Sequence, residues 1–218
     1  MNTAIIFDMD GTIIDSEPLY TKAEIRLFAE YNVIIPKEDL NLFRGCSETD
    51  FFNLSMSRYK ISEKKSIFIE KGRRYVKEEF KKGLSFMPGF HDLIFNIKNK
   101  HQTALVTASP RHNLDWVCEI MNLNNYFDCI ISGEDCKYNK PHPQPYLDMM
   151  EMLNVKPQNT IIVEDSIHGL NSALSSKAHV IAIRGSVSDD SLNKSHKIIS
   201  SLSEITNKLI DELLQKKL

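Results

Sequence analysis

The chain alternates between short apolar runs that stop at polar residues and longer amphipathic stretches. Ala4–Phe7 is the first run, four apolar residues ending at Asp8. Short, unbroken and followed by a turn residue, Gly11, it predicts a central strand buried on both faces. From Phe90 the pattern becomes regular. Phe90, Leu93, Ile94 and Ile97 fall at i, i+3, i+4 and i+7, the spacing of a helix with one apolar face. Thr103–Thr107 reads as a strand, and Leu114, Val117, Cys118 and Met121 mark the next helix. Cys129–Ser132 is a third strand, followed by a helix carrying Tyr146, Met149, Met150 and Leu153. Thr160–Val163 is a fourth strand, Ile167, Leu170 and Leu174 share a helical face, and Val180–Ile183 is a fifth strand. Ser201 to Glu204 has the form of a capping box and predicts a last helix through Leu214. Strand–helix alternation of this kind predicts an α/β fold, a doubly wound parallel five-stranded sheet with helices on both faces.

Residues 16–83 break that rhythm. Leu19, Ala23 and Leu27 lie on one helical face, and Glu48–Tyr59 and Glu63–Lys82 are helix-like, the last long and highly charged. No central strand is evident. The expected organisation is therefore a core of residues 1–15 and 84–218, with a helical domain of residues 16–83 inserted after the first strand. Gly83 to Gly89, punctuated by Pro88-Gly89, is the return linker.

Composition narrows the functional classes. The chain has 218 residues, 42% hydrophobic, with a net charge of -2. That balance gives no electrostatic case for nucleic acid or an anionic membrane. No apolar run approaches the ~20 residues needed to span a bilayer. The first strand begins at once, leaving no room for a signal peptide, so a cytoplasmic location is expected; the chain is also expected to be a monomer. Cys46, Cys118, Cys129 and Cys136 show no C-x-x-C spacing and read as free thiols rather than a zinc site.

Chemistry gathers at strand ends, where ligands bind in open parallel sheets. Asp8 ends the first strand, and Asp10, two residues on, points to the same side of an extended chain. Two carboxylates there can bind a divalent cation, attack as a nucleophile or trade protons, or can simply end a strand in a polar turn. Thr107 ends the second strand. Ser109 suits an N-cap and Pro110 a first helical turn, so Thr107 lies beside a helix N-terminus that favours anions. Lys140 sits among prolines 141, 143 and 145, which fix the backbone around one cation. His142, without a partner acid or base in sequence, reads as structural. Glu164 and Asp165 end the fourth strand side by side and would repel unless a cation lay near them.

Asp8-x-Asp10-Gly11-Thr12, Thr107, Lys140-Pro141 and Glu164-Asp165-Ser166-x-x-Gly169 come in order, each at an expected strand end. Together they resemble the haloacid dehalogenase-like (HAD) hydrolase superfamily, over essentially the whole chain. The branch looks like the β-phosphoglucomutase-like one with a helical cap. Asp15-Ser16-Glu17-Pro18-Leu19, Ser109-Pro110 and the run from Lys140 to Leu147 are similar to phosphatases of the 2-deoxyglucose-6-phosphate and hexitol-phosphate type. The resemblance implies a Rossmann-like core and a phosphoric monoester hydrolase acting on a small sugar or polyol phosphate. It implies Asp8 as nucleophile, Asp10 as acid and base, and Thr107 and Lys140 holding the phosphoryl oxygens, with Ala108 and Ser109 also lining the substrate. Magnesium would be held by Asp8, the Asp10 carbonyl and Asp165, with Glu164 acting through bound water. Glu17, Tyr20, Arg44, Lys71 and Arg74 are the candidate cap contacts.

Two alternatives stand beside it. One is a phosphate-binding or receiver-like protein without turnover. The other is a phosphosugar mutase, whose relatives carry an arginine after the Gly-x-Ser of the first cap loop and a histidine on the first cap helix. Here Glu48 and Tyr20 occupy those places. A further departure is Lys177-Ala178, where many relatives have Ala-Gly. Lysine suits a left-handed cap poorly, so a different turn is expected there.

Overall fold

The computed structural model describes residues 2–43, 48–185 and 189–216. The chain divides into two compact units, residues 1–15 with 85–218, and residues 16–84. Strand β1 (Ala4–Phe7) opens the first unit. The chain then forms the second unit, from α1 (Glu17–Ala29), α2 (Lys37–Phe43), α3 (Glu48–Arg58) and α4 (Lys65–Gly83). This unit has its own core of Leu27, Phe28, Phe52, Ile61 and Phe68. Its rings meet edge-on, Phe28 against Tyr59 at 4.9 Å and Phe52 against Phe68 at 5.5 Å between centroids. Edge-to-face contact suits aromatic quadrupoles. Helix α2 was not expected from the sequence. It is seven residues long, too short to show a period, and is started by Pro36, whose carbonyl accepts from the Asp39 amide.

The first unit resumes with α5 (Phe90–Ile97), β2 (Gln102–Val106), α6 (Arg111–Met121) and β3 (Cys129–Ile131). It continues through α7 (Gln144–Met152), β4 (Thr160–Glu164), α8 (Ile167–Ser175) and β5 (His179–Ile183). It ends with α9 (Asp189–Leu192), β6 (Lys197–Ile199) and α10 (Asn207–Gln215). The sheet order is β3-β2-β1-β4-β5-β6, with every pairing parallel. The β1 strand therefore lies inside, with Phe7 level with Leu105 on one side and Val163 on the other. Ile6, Val106, Ile162 and Val180 meet Tyr146, Met149 and Met150 of α7 in one core cluster.

Three expectations need correction. The sheet has six strands, not five. The sixth is only Lys197-Ile198-Ile199, and an edge strand needs so little apolar sequence that its run is lost among serines, lysines and a histidine. The capping box at Ser201 closes a single 3-10 turn, Leu202–Glu204, rather than opening the last helix. The chain turns again at Ile205, and the Thr206 hydroxyl caps α10 by accepting from the Leu209 amide. A capping box specifies one turn and says nothing of the next. Finally, Lys177 does adopt the left-handed conformation, at φ 60. Its amide bonds the Leu174 carbonyl at 3.1 Å while Ala178 is buried, so packing outweighs a local cost of about 1–2 kcal/mol.

Among the described residues no helix is long and apolar enough to cross a membrane. Cys118, Cys129 and Cys136 are free thiols, and Cys46 lies outside the described residues.

Candidate active site

The strand tips of β1, β2 and β4 bring together five groups read from the sequence. Asp8 follows β1 directly, its amide bonded to the Val163 carbonyl of β4 at 3.0 Å. Glu164 is the last residue of β4 and Asp165 the next. The registers of β1 and β4 thus set the three acids side by side. Lys140 reaches them from the loop before α7, its side chain only 2% exposed. Its ammonium donates to Asp8 Oδ1 at 2.7 Å, Glu164 Oε1 at 2.7 Å and the Val106 carbonyl at 2.8 Å. Those three bonds match the three donors of an ammonium group.

Glu164 is fully buried and is held inside the protein. Besides Lys140, its Oε1 accepts from the Tyr146 hydroxyl at 2.7 Å. Its Oε2 accepts from the amides of Asp165 and Ser166 and from the Ser166 hydroxyl, at 3.1, 3.2 and 3.1 Å. Ser166 also caps α8, accepting from the Gly169 amide at 3.0 Å. Gly169 is required by close approach, since a Cβ there would lie 1.8 Å from Glu164 Oε1. Gly11 is required twice over: its φ is +76, and a Cβ would stand 2.4 Å from Asp165 Oδ2. Asp165 in turn accepts from the Thr12 hydroxyl at 3.2 Å.

Thr107 is buried at the end of β2, where its Oγ1 accepts from the Ser109 amide at 3.0 Å. Ala108 is exposed beside it, and its carbonyl accepts from the Asn139 side chain at 3.3 Å. Ser109 does not cap α6. The helix begins at Arg111, with Pro110 at the cap position and no side-chain cap bond. The Ser109 hydroxyl instead donates to Asp10 Oδ2 at 2.7 Å. His142 Nδ1 accepts from the Gln144 amide, and its ring lies against Tyr138.

Charge in this cluster is not balanced. Burial pushes the Asp8 carboxyl up to about 7, with Lys140 pulling it down and Glu164 and Asp10 adding to the rise. Burial works against the Lys140 ammonium, but Asp8 and Glu164 hold its pKa well above the usual lysine value. The cation therefore stays, and the acids around it outnumber it. Asp8, Glu164 and Asp165 each offer an oxygen within 4.8 Å of the others. An all-oxygen donor set with excess negative charge fits a hard divalent cation such as Mg²⁺. Glu164, already saturated by five donors, is the least available of the three.

The remaining sequence candidates belong to the helical unit. Lys71 bonds Glu30 at 2.9 Å, Glu63 at 3.0 Å and the Tyr31 hydroxyl at 3.1 Å. Arg74 pairs with Glu30 at 3.2 Å, and Tyr20 lies edge-on to Phe80 at 5.2 Å. Glu17 opens α1, and Arg44 lies outside the described residues. Sequence reasoning assigned no polar role to Tyr146, Thr12 or Asn139. Tyr146 fell on the apolar face of its helix and was counted as core, and only its hydroxyl signalled a buried polar partner.

A parallel sheet with acids at the tips of β1 and β4, one buried lysine between them and a helical unit after β1 defines a class of α/β hydrolase. The chain matches the model of the haloacid dehalogenase-like hydrolase family over residues 5–183 and belongs to that family. It is 31% identical to a phosphorylated carbohydrates phosphatase of Thermotoga maritima, covering 79% of this chain and 80% of that one. It is 30% identical to hexitol phosphatase B of Escherichia coli K12, over 94% and 95% of the two chains. Among solved structures, a β-phosphoglucomutase from Clostridium difficile superposes with a TM-score of 0.79 at 25% identity, covering 98% of this chain and 97% of that one.

Proposed function

We propose that this hydrolase is a magnesium-dependent phosphatase of a small sugar or polyol phosphate, working through an aspartyl phosphate on Asp8. The observation that carries the reading is the Lys140 ammonium held between Asp8 and Glu164, with Asp165 alongside and Asp10 two residues past Asp8 in the chain. The names of the two curated relatives, one for phosphorylated carbohydrates and one for hexitols, point to the substrate class. Residues 16–84 act as the cap that selects the alcohol.

Asp8 attacks phosphorus, an Asp8 O–P bond forms, and the bond from phosphorus to the alcohol oxygen breaks. Asp10 gives that oxygen its proton. Asp10 then takes a proton from water as the water oxygen attacks phosphorus, releasing inorganic phosphate and restoring Asp8. Lys140 offsets the charge on Asp8 and on the oxygens it comes to bear, and Thr107 with the following loop orients the phosphoryl group. Mg²⁺ held by Asp8, Asp165 and the Asp10 carbonyl would supply the positive charge that this acid-rich cluster lacks.

The mutase reading needs a cation for a second phosphate in the cap. Glu48 occupies that sequence position and is bonded through both carboxylate oxygens to Arg73, at 2.9 and 2.7 Å. That pairing favours the phosphatase. The test is phosphate release across a panel of phosphorylated metabolites with magnesium. Hexose and hexitol phosphates are expected to lead, with no need for a bisphosphate and no turnover in EDTA. With β-glucose 1-phosphate and a trace of the 1,6-bisphosphate, glucose 6-phosphate forming faster than inorganic phosphate would make the mutase correct.

A further inference from the structure

Ser109 stands where a helix cap belongs, yet its hydroxyl is turned to Asp10. The turn is imposed from three sides. The Ser109 amide donates to Thr107 Oγ1 at 3.0 Å, the Ser109 carbonyl accepts from the Gly133 amide at 3.0 Å, and Pro110 takes the cap position of α6. Gly133 is required there by close approach, because a Cβ would lie 2.5 Å from the Ala108 carbonyl oxygen. The loops after β2 and β3 thus fix the Ser109 backbone, and the side chain reaches Asp10 Oδ2 at 2.7 Å across 99 residues of sequence.

We propose that Ser109 is a positioning residue for the acid–base step, holding Oδ2 of Asp10 so that the transferable proton is carried on Oδ1. This rests on the reading of Asp10 as the acid that protonates the departing alcohol. A protonated carboxyl bears its hydrogen on one oxygen and accepts on the other. A hydroxyl already donating to Oδ2 leaves Oδ1 as the oxygen that bears the proton. It also limits rotation of the carboxyl, so the same oxygen gives the proton in the first step and takes one in the second. Ser109 moves no proton itself and forms no bond to phosphorus.

The prediction separates this role from a phosphate contact. An acid in place makes the rate insensitive to how well the alcohol leaves, whereas a misplaced one makes it depend on leaving-group acidity. The measurement is kcat/KM, with magnesium, over substituted phenyl phosphates from p-nitrophenyl to unsubstituted phenyl. Ser109→Ala should lose about tenfold on phenyl phosphate and about twofold on p-nitrophenyl phosphate, a fraction of the ~10²–10⁴ that acid–base catalysis contributes. Asp10→Asn should show the steepest dependence of all, and Ser109→Thr, which keeps a hydroxyl, should return to the shallow wild-type line. Melting curves confirm that each variant is folded.

Equal loss across the series for Ser109→Ala, or a raised KM with unchanged kcat, would mean that Ser109 holds phosphate or structure only and would overturn the proposal. So would a Ser109→Thr line as steep as that of the alanine variant. If Asp10→Asn itself shows no steepening, the acid role of Asp10 falls and the proposal falls with it, an outcome distinct from failure of Ser109 alone.

Discussion

The two units handle charge in opposite ways. In the helical unit the charges close upon one another. Arg26 pairs with Glu78 and Glu79, Arg58 forks onto Asp39 at 2.5 and 2.6 Å, Arg73 forks onto Glu48, and Lys71 joins Glu30 and Glu63. In the core unit one buried ammonium serves two carboxylates, and a third lies beside them. The first arrangement is self-sufficient and binds its helices together. The second is short of positive charge and is held that way by strand register and buried donors, so a divalent cation among the three acids would bring it nearer to balance. The difference warns against counting charged helix residues as substrate contacts when they already have partners.

Breaking the unbalanced cluster should have the largest effect. Asp8→Asn keeps the shape but cannot attack, and kcat/KM should fall by at least about a thousandfold, the scale of losing a group that acts in the transition state. Activity within tenfold of wild type would remove Asp8 as nucleophile. Lys140→Met comes next, because it leaves buried carboxylates without their cation. Such broken pairs cost about 3–5 kcal/mol of stability, and the lost charge about 10²-fold in rate. Urea unfolding and steady-state kinetics on one preparation would read both, and a variant as stable as wild type would show that the acids were not relying on Lys140.

A smaller effect lies at the opposite ends of the strands. His179 opens β5, fully buried, with its ring 5.5 Å from that of His196. Burial, with the nearby His196, depresses its pKa below the usual 6.5. The unfolded ring therefore binds a proton more readily than the folded one, and stability present above about 6.5 is lost as pH falls below it. Melting temperature should decline from pH 7 toward pH 5, and His179→Phe should flatten that decline. An unchanged slope would assign acid lability to other groups. The smallest effect is expected from Lys71→Met, with KM within a factor of about three, as for partly exposed ion pairs in general. A tenfold rise in KM would return Lys71 to the substrate and blur the contrast between the units.

The parts of this molecule that were legible in sequence share a physical cause. An apolar run buried on both faces must end where the sheet ends, so the acids following Phe7 and Val163 announced the strand tips. Lys140 was marked by the prolines around it. What could not be read was long-range and polar. Tyr146 is spaced like a core residue, and nothing local says that its hydroxyl meets Glu164. Ser109 carries the local signature of a cap, which Asp10 overrides from the far side of the sequence. The β6 strand was missed because three residues carry no period. Lys177 was misjudged because a local preference of about 1–2 kcal/mol is small against the burial of its neighbours.

The pairing of β1 with β4 has a consequence for how this gene can vary in length. Phe7 sits opposite Val163, and one residue further on stand Asp8 and Glu164, both bonded to the same lysine. Losing a single codon within Ala4–Phe7 would draw Asp8 back by about 3.3 Å along the strand and turn alternate side chains to the other face. No side-chain substitution elsewhere could restore both. Loops joining helices tolerate added residues at little cost, since closing a longer loop grows only slowly in entropy. Insertions and deletions should therefore be accepted around the helices and refused in the four residues before Asp8 and the four before Glu164, which together act as a pair of fixed rulers for the site.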